Sequence, residues 1–201
     1  MSRIRHHVNP LSDLTEHNFS GFENNKPIII DIGADRGEFT QKLLEKFGDE
    51  KNFIVSEIRK PLADRLKKKF CDYDNVVVFD GDMVRNFEQI VRPSVEKGVI
   101  IEEIYVNFPD PWFKKRHKKR RVINEKFLSS ILNWVQKETK WIFQTDQKEL
   151  FDDTVEILEN IEDIKIKFFD NPPYGATTKW EDAKVLQDEK INRLFFYINY
   201  E

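Results

Sequence analysis

Short runs of β-branched and aromatic residues alternate along this chain with longer stretches whose apolar positions recur every three to four residues. The first run, Ile28-Ile29-Ile30-Asp31-Ile32, reads as a strand that ends at Gly33, and the spacing after it predicts a helix over 38–47. The alternation continues with strands over 53–56, 76–79, 104–106 and 141–145. Helices are expected after Pro61, over 125–137 and over 147–159. Such a rhythm predicts an α/β fold, a Rossmann-like, doubly wound and mostly parallel sheet. The end of the chain breaks the rhythm: residues 164–169 and 194–200 both read as strands, yet Pro172-Pro173-Tyr174-Gly175 and a polar stretch join them without a long helix. The seventh and last strand is therefore expected to be antiparallel. No internal repeat or low-complexity linker divides the sequence, so one domain is expected over 26–201, preceded by an arm over 1–25.

Composition narrows the class of protein. Hydrophobic residues make up 39% of the 201-residue chain, and 17 of its residues are Phe, enough for a substantial core beneath a surface rich in the 34% charged residues. One cysteine, Cys71, excludes an intramolecular disulfide framework, and no Cys/His cluster has zinc-ligand spacing. The adjacent His6 and His7 have no carboxylate partner nearby and make poor metal ligands, so no metal is expected. No stretch has the roughly 18 apolar residues of a membrane span, and a polar, Arg/His-bearing start lacks the apolar core of a signal peptide, so a cytoplasmic protein is expected. The net charge of −3 does not advertise a polyanionic partner, but the distribution does. Lys114, Lys115, Arg116, His117, Lys118, Lys119, Arg120 and Arg121 form an unbroken basic or histidine run, while acids crowd residues 149–163.

In open parallel sheets ligands bind beyond the carboxyl ends of the strands, so strand ends carry the chemistry. Here they are polar: Asp31-Ile32-Gly33-Ala34-Asp35-Arg36-Gly37, Glu57, Asp80-Gly81-Asp82, Asn107-Phe108-Pro109-Asp110 and Thr145-Asp146. Gly33 and Gly37 suit a loop in which the backbone turns with positive φ and a cofactor approaches closely. A dinucleotide fingerprint would need glycines at 33, 35 and 38, but Asp35 and Glu38 stand at two of those positions. What remains, Asp-x-Gly-x-x-x-Gly with an acid ending the second strand, resembles the class I S-adenosylmethionine-dependent methyltransferases. The resemblance implies that Glu57 accepts from both ribose hydroxyls, that Asp82 and Met83 flank the adenine, and that Asp31 meets the charged methionine end. A carboxylate suits a vicinal diol because it offers two acceptor oxygens.

The fourth strand end is more specific. Asn107-Phe108-Pro109-Asp110-Pro111-Trp112-Phe113-Lys114-Lys115-Arg116-His117 closely resembles the signature of the bacterial tRNA (guanine-N7)-methyltransferases, Asn-Phe-x-Asp-Pro-Trp running into Lys-Lys-Arg-His. The similarity extends to the Arg-x-Arg-His-x-Val-Asn-Pro start, Glu57-Ile58-Arg59, Thr145-Asp146 and Thr178-Lys179-Trp180-Glu181. It implies transfer of a methyl group from S-adenosylmethionine to N7 of the variable-loop guanine of tRNA. Asp110 would stand at the reaction centre and also contact the cofactor, together with Asp31, Gly33, Gly37, Glu57, Asp82 and Met83. Lys114, Asp146, Thr178, Lys179, Trp180 and Glu181 would contact the tRNA substrate. Departures from the family pattern are Asp35, where glycine is commoner, and Asp31, Val55 and Phe113, often glutamate, glycine and proline.

Each residue also has a plainer reading. A basic run is usually a solvated face, Asp110 between two prolines suits a turn, and Asp146 suits a cap for the following helix. Trp112 suits either a core or a stacking role. Asp35 motivates a rival function, an RNA-binding protein that has lost catalysis. A methyltransferase of the same fold acting on a small molecule or protein is a third reading, opposed by the basic run beside Asp110. Nothing in the sequence decides between a monomer and a homodimer.

Overall fold

The computed structural model describes residues 18–198. Strands β1 (Ile28–Ile32), β2 (Asn52–Glu57), β3 (Val76–Asp80), β4 (Ile101–Asn107), β5 (Lys140–Thr145), β6 (Ile164–Phe168) and β7 (Asn192–Ile198) form one sheet in the order β3-β2-β1-β4-β5-β7-β6. Pairs β1–β2, β1–β4, β2–β3 and β4–β5 are parallel, whereas β7 runs antiparallel to β5 and β6. The chain builds outward from β1 in both directions. The carboxyl ends of β1 and β4 therefore flank the crevice where the connections diverge to opposite faces. The sheet is the doubly wound one that the alternation predicts, with its antiparallel closing strand.

The residue pattern explains the two-sided burial. All of β1 and β2 is buried, as parallel strands covered on both faces require. Ile30, Ile54, Ile104, Val106 and Phe143 join one hydrophobic cluster with α3 (Met83–Val95), α4 (Glu125–Ile131) and α5 (Lys148–Glu159). Their neighbours Ile29, Phe53, Val55, Tyr105 and Ile142 point the other way, against α1 (Glu38–Phe47) and α2 (Lys60–Lys69).

Three elements depart from the sequence expectation. Helix α3 follows β3 directly, buries Phe87, Ile90 and Val91, and carries Pro93 inside its last turn, a residue that normally marks a helix end. Helix α4 stops at Ile131 rather than continuing to 137. The polar stretch before β7 contains a short helix, α6 (Lys179–Leu186), whose only buried residue is Glu181, so it offers no apolar stripe to read. The expected arm lies mostly outside the described residues, as do His6 and His7. From Phe22 onward the chain is packed: that ring is buried and its N–H donates to Ser94 Oγ at 3.1 Å.

Trp141, at the centre of the larger cluster, lies nearly parallel to Phe196 at 5.6 Å and edge-on to Phe127, and its buried indole N–H has no partner. Trp141→Ala is expected to cost about 3–5 kcal/mol of stability through loss of volume. Trp141→Phe keeps most of that volume and removes the orphan donor, so it should cost under about 1.5 kcal/mol in denaturant unfolding. Equal losses for the two variants would contradict this account of the core.

Candidate active site

Register determines which side chains share the carboxyl edge. Ile32 pairs with Ser56 on one side and Val106 on the other, so one residue further Gly33 comes level with Glu57 and Asn107. Asn107 pairs with Gln144, and Gln144 with Arg193. Neighbouring strands are about 4.8 Å apart, so Glu57, Gly33, Asn107, Gln144 and Arg193 form a transverse row on the face that α1 covers. In the middle of that row a Cβ added at Gly33 would meet nothing within 4 Å. The side-chain amide of Asn107 is buried with neither nitrogen nor oxygen partnered. A glycine-wide opening thus separates a carboxylate from an amide still holding its hydrogen-bonding capacity.

Glu57 is only 2% exposed, and the protein supplies donors on every side of it. One oxygen accepts from the Arg59 N–H at 2.8 Å and from Arg59 Nε at 2.9 Å; the other accepts from the Asp35 N–H at 3.0 Å and Arg59 Nη2 at 2.8 Å. Asp35 takes a left-handed conformation, φ 52°, which aspartate tolerates better than most residues, and its carboxylate pairs with Arg59 at 3.0 Å. Arg59 is held above the usual guanidinium range by its Glu57 hydrogen bonds, with the charges of Glu57, Asp35 and Asp110 adding. Asp110 therefore lies within electrostatic reach of the cluster at the end of β2. Asp31 is buried beneath the same loop and accepts from Thr40 Oγ1 of α1 at 2.6 Å. Asp82 caps α3 by accepting from the Val84 N–H, which places Met83 in the first turn. Gly37, φ 71°, starts α1 with Leu66 of α2 and Phe70, the residue that ends that helix, packed against it, leaving no room for a side chain.

On the other flank, residues after β4 form a loop with two bulky residues in the left-handed region, Phe108 at φ 48° and Trp112 at φ 43°. The basic run coils into a 3-10 turn, Lys115–Arg120. Lys114, Lys115, Arg116 and Lys119 are exposed, the Arg120 guanidinium lies 4.9 Å from the Trp112 ring, and Lys118 and Arg121 pair with Asp153 of α5. The run is thus part solvated face and part internal structure.

Thr178 caps α6 by accepting from the Glu181 N–H. Lys42 of α1 donates to the Thr177 carbonyl, and Lys179 pairs with Glu38 at 2.9 Å, so α6 starts against the first turns of α1. Glu181 is 1% exposed and turned inward. One of its oxygens pairs with Arg193 at 2.5 Å and the other accepts from Gln144 Nε2 at 3.2 Å. Its carboxylate acts on the scaffold, and any influence on a ligand passes through Gln144 and Arg193. Asp146 accepts from Gln147 and pairs with Lys184 at 3.3 Å, while Lys184 Nζ also lies 5.0 Å from the exposed Trp180 ring.

A family model described as "Putative methyltransferase" matches residues 25–194. A tRNA (guanine-N(7)-)-methyltransferase of Prochlorococcus marinus strain NATL1A is 30% identical, the match covering 98% of this chain and 97% of that protein. The enzyme of the same name from P. marinus subsp. pastoris is 38% identical over 83% of each. The chain belongs to the tRNA (guanine-N7)-methyltransferase family. At the level of fold alone, it resembles the O-methyltransferase TomG from Streptomyces achromogenes, with a TM-score of 0.58 at 10% identity over 88% of this chain and 74% of that one.

Within this methyltransferase the residues singled out in the sequence gather along one sheet edge, from Asp82 and Glu57 through Asp31, Gly33 and Asp110 to Asp146 and α6. Arg193 lay outside the motifs read from the sequence, and Asn107 and Arg59 stood within them without a role of their own. A cation opening the apolar run Leu194-Phe195-Phe196, which must find a buried anion, was the available signal for Arg193. Among the described residues, no group of three or more His, Cys, Asp and Glu side chains could hold a metal ion. No helix among them is long and apolar enough to cross a membrane.

Burial pushes Asp31 up to about 6, against the lowering effect of the Thr40 hydrogen bond and with the Glu57 charge adding to it. The folded chain then holds this proton more tightly than the unfolded chain does, so the contribution of Asp31 to stability is fully present below about pH 4 and is lost as pH rises through 6, by on the order of 3 kcal/mol. Asp31→Asn should therefore unfold at a higher temperature than wild type at pH 7.5, with the gap narrowing as the pH is lowered to 5. A gap independent of pH would contradict the ionised, buried state of Asp31.

Proposed function

We propose that this methyltransferase modifies N7 of the variable-loop guanine of tRNA, position 46, with S-adenosylmethionine as methyl donor. The observation that carries the reading is the row in which an open glycine lies between the Glu57 carboxylate and the unpartnered Asn107 amide, with Asp110 beyond it at the end of β4. That donor set fits the cofactor. Glu57 would receive the ribose diol, Asp31 the ammonium of the methionine end, and Asp82 and Met83 the adenine edge. Gly33 and Gly37 would let the backbone approach closely, and the solved TomG structure is described as a complex with S-adenosylmethionine. When bound, the cofactor supplies a methyl group on a sulfonium sulfur that leaves as a neutral thioether. For Glu57 to accept from a diol, Arg59 has to yield part of its claim on that carboxylate.

Guanine N7 carries an in-plane lone pair and no hydrogen, so no side chain has to remove a proton from it. The task left to the protein is alignment, where proximity alone is worth roughly 7–11 kcal/mol. Asp110 has two roles open to it there: to orient the base by accepting from its Watson–Crick N–H edge, or to offset the positive charge that develops on the purine. Lys114, Lys115, Arg116 and Lys119, the exposed cations of the run, bind flanking phosphates. Thr178, Lys179, Trp180 and Asp146 complete the tRNA side, and Glu181 fixes their helix from within. Such an enzyme works in the cytoplasm with its substrate. The rival reading, an RNA binder without catalysis, was motivated by Asp35. That residue instead donates its N–H to Glu57 and so builds the cofactor loop.

Glu57→Ala is expected to weaken S-adenosylmethionine binding by about 1.5–3 kcal/mol in calorimetry, the scale of hydrogen bonds to a charged group. Asp110→Asn should abolish or severely reduce methyl transfer to tRNA while the fold survives. A folded Asp110→Asn protein that turns over like wild type would remove Asp110 from the reaction centre.

A further inference from the structure

The sequence holds two tracts of opposite charge, the basic run after β4 and the acids of α5, and folding brings them into contact. Asp153 of α5 receives Lys118 Nζ at 2.6 Å and Arg121 Nη1 at 2.5 Å, and Glu149, one turn earlier, lies 3.7 Å and 4.0 Å from the same two cations. Arg121 is no surface cation: its side chain is 4% exposed. Its Nε donates to the carbonyl oxygen of Pro111 at 2.8 Å, the residue that follows Asp110. The guanidinium therefore spans from α5 to the loop that carries Asp110.

That loop needs restraint. Phe108 and Trp112 both occupy the left-handed region, a conformation bulky side chains keep only where the surroundings over-determine it. One restraint is at the strand end, where the Phe108 N–H donates to the Gln144 carbonyl at 2.8 Å. Another is the Arg121 donor on Pro111, reinforced by Arg120 against the Trp112 ring. A buried guanidinium stays in place only with a carboxylate beside it, and Asp153 is held below the usual carboxylate range by the hydrogen bonds of Lys118 and Arg121, hence ionised at neutral pH.

We propose that Asp153 is a positioning residue for methyl transfer: through Arg121 it clamps the Pro111 carbonyl and so fixes Asp110 at the end of β4. The proposal rests on the reading that Asp110 stands at the reaction centre. It assigns part of the basic run to building the site rather than to binding phosphate. It also gives the acidic stretch of α5 a task that its sequence position does not suggest.

Single-turnover methyl transfer at saturating tRNA and S-adenosylmethionine tests it, alongside cofactor affinity, tRNA affinity and the thermal midpoint. Asp153→Ala should slow the transfer step roughly tenfold or more, since small misplacements of reacting groups carry penalties up to about a hundredfold. Asp153→Asn should fall between Asp153→Ala and wild type, Asp153→Glu should recover much of the rate, and cofactor affinity should stay within about twofold throughout. Asp152→Asn, which removes a surface acid paired with Lys148 on the same helix, should transfer at the wild-type rate. If Asp153→Ala does not fold, Asp153→Asn at an unchanged thermal midpoint decides. Rates within twofold of wild type for the Asp153 variants would overturn the proposal, and with tighter tRNA binding they would show that Asp153 only masks the basic run. Asp110→Asn in the same assay separates the two levels. If it is as fast as wild type, the reading of Asp110 fails; if it is inactive while the Asp153 variants are fast, only the clamp fails.

Discussion

A carboxylate buried at the end of a parallel strand has to be surrounded by donors, and the way Glu57 meets that demand organises the cleft. Leaving such a charge unpaired away from water would cost several kcal/mol, so the chain turns back twice to reach it. Asp35 bends through a left-handed φ of 52° to present its N–H, and Arg59, two residues beyond Glu57, folds back with three donors. Those contacts shape the loop after β1, hold the entry to α2 and bring positive charge within reach of Asp110. The same carboxylate is the one proposed above for the ribose diol, so the restraint that builds the cleft is also one that a bound ribose would have to share.

The opposite flank follows the same logic with another buried anion. Glu181 pairs with Arg193 and Gln144, and the backbone carbonyl of Gln144 accepts from Phe108 at the root of the Asp110 loop. The antiparallel strand β7 thereby takes part in the site although none of its residues lies at the crevice: it delivers the cation that keeps α6 and the end of β5 in register. Between the two buried carboxylates lies the Asn107 amide, buried with neither its nitrogen nor its oxygen partnered. Polar groups in protein interiors rarely go unpaired except where function uses them, and this one is at the point where β1 and β4 diverge.

The parallel strands were legible because their apolar runs end in glycine or a polar residue, and the residues at those ends were legible because ligand chemistry concentrates there. The structure keeps Asp31, Gly33, Glu57, Asp82 and Asp110 on one edge as that reasoning implies. Helix α3 was not legible, since Pro93 within its last turn imitates a stop signal, and α6 was not, since its one buried side chain is a glutamate. Glu181 and the basic run show a deeper limit. Charge in sequence does not say whether a side chain faces solvent or an ion pair, and that depends on partners such as Arg193 and Asp153, at sequence separations of 12 and 32 residues. Long-range pairing of charges is invisible to local pattern.

The atom that receives the methyl group is read directly from the product. Unmodified bulk tRNA incubated with the purified protein and methyl-labelled S-adenosylmethionine, then digested to nucleosides, should yield label in 7-methylguanosine and map it to the variable loop. Label in another nucleoside, or none from a protein that binds the cofactor, would contradict the account.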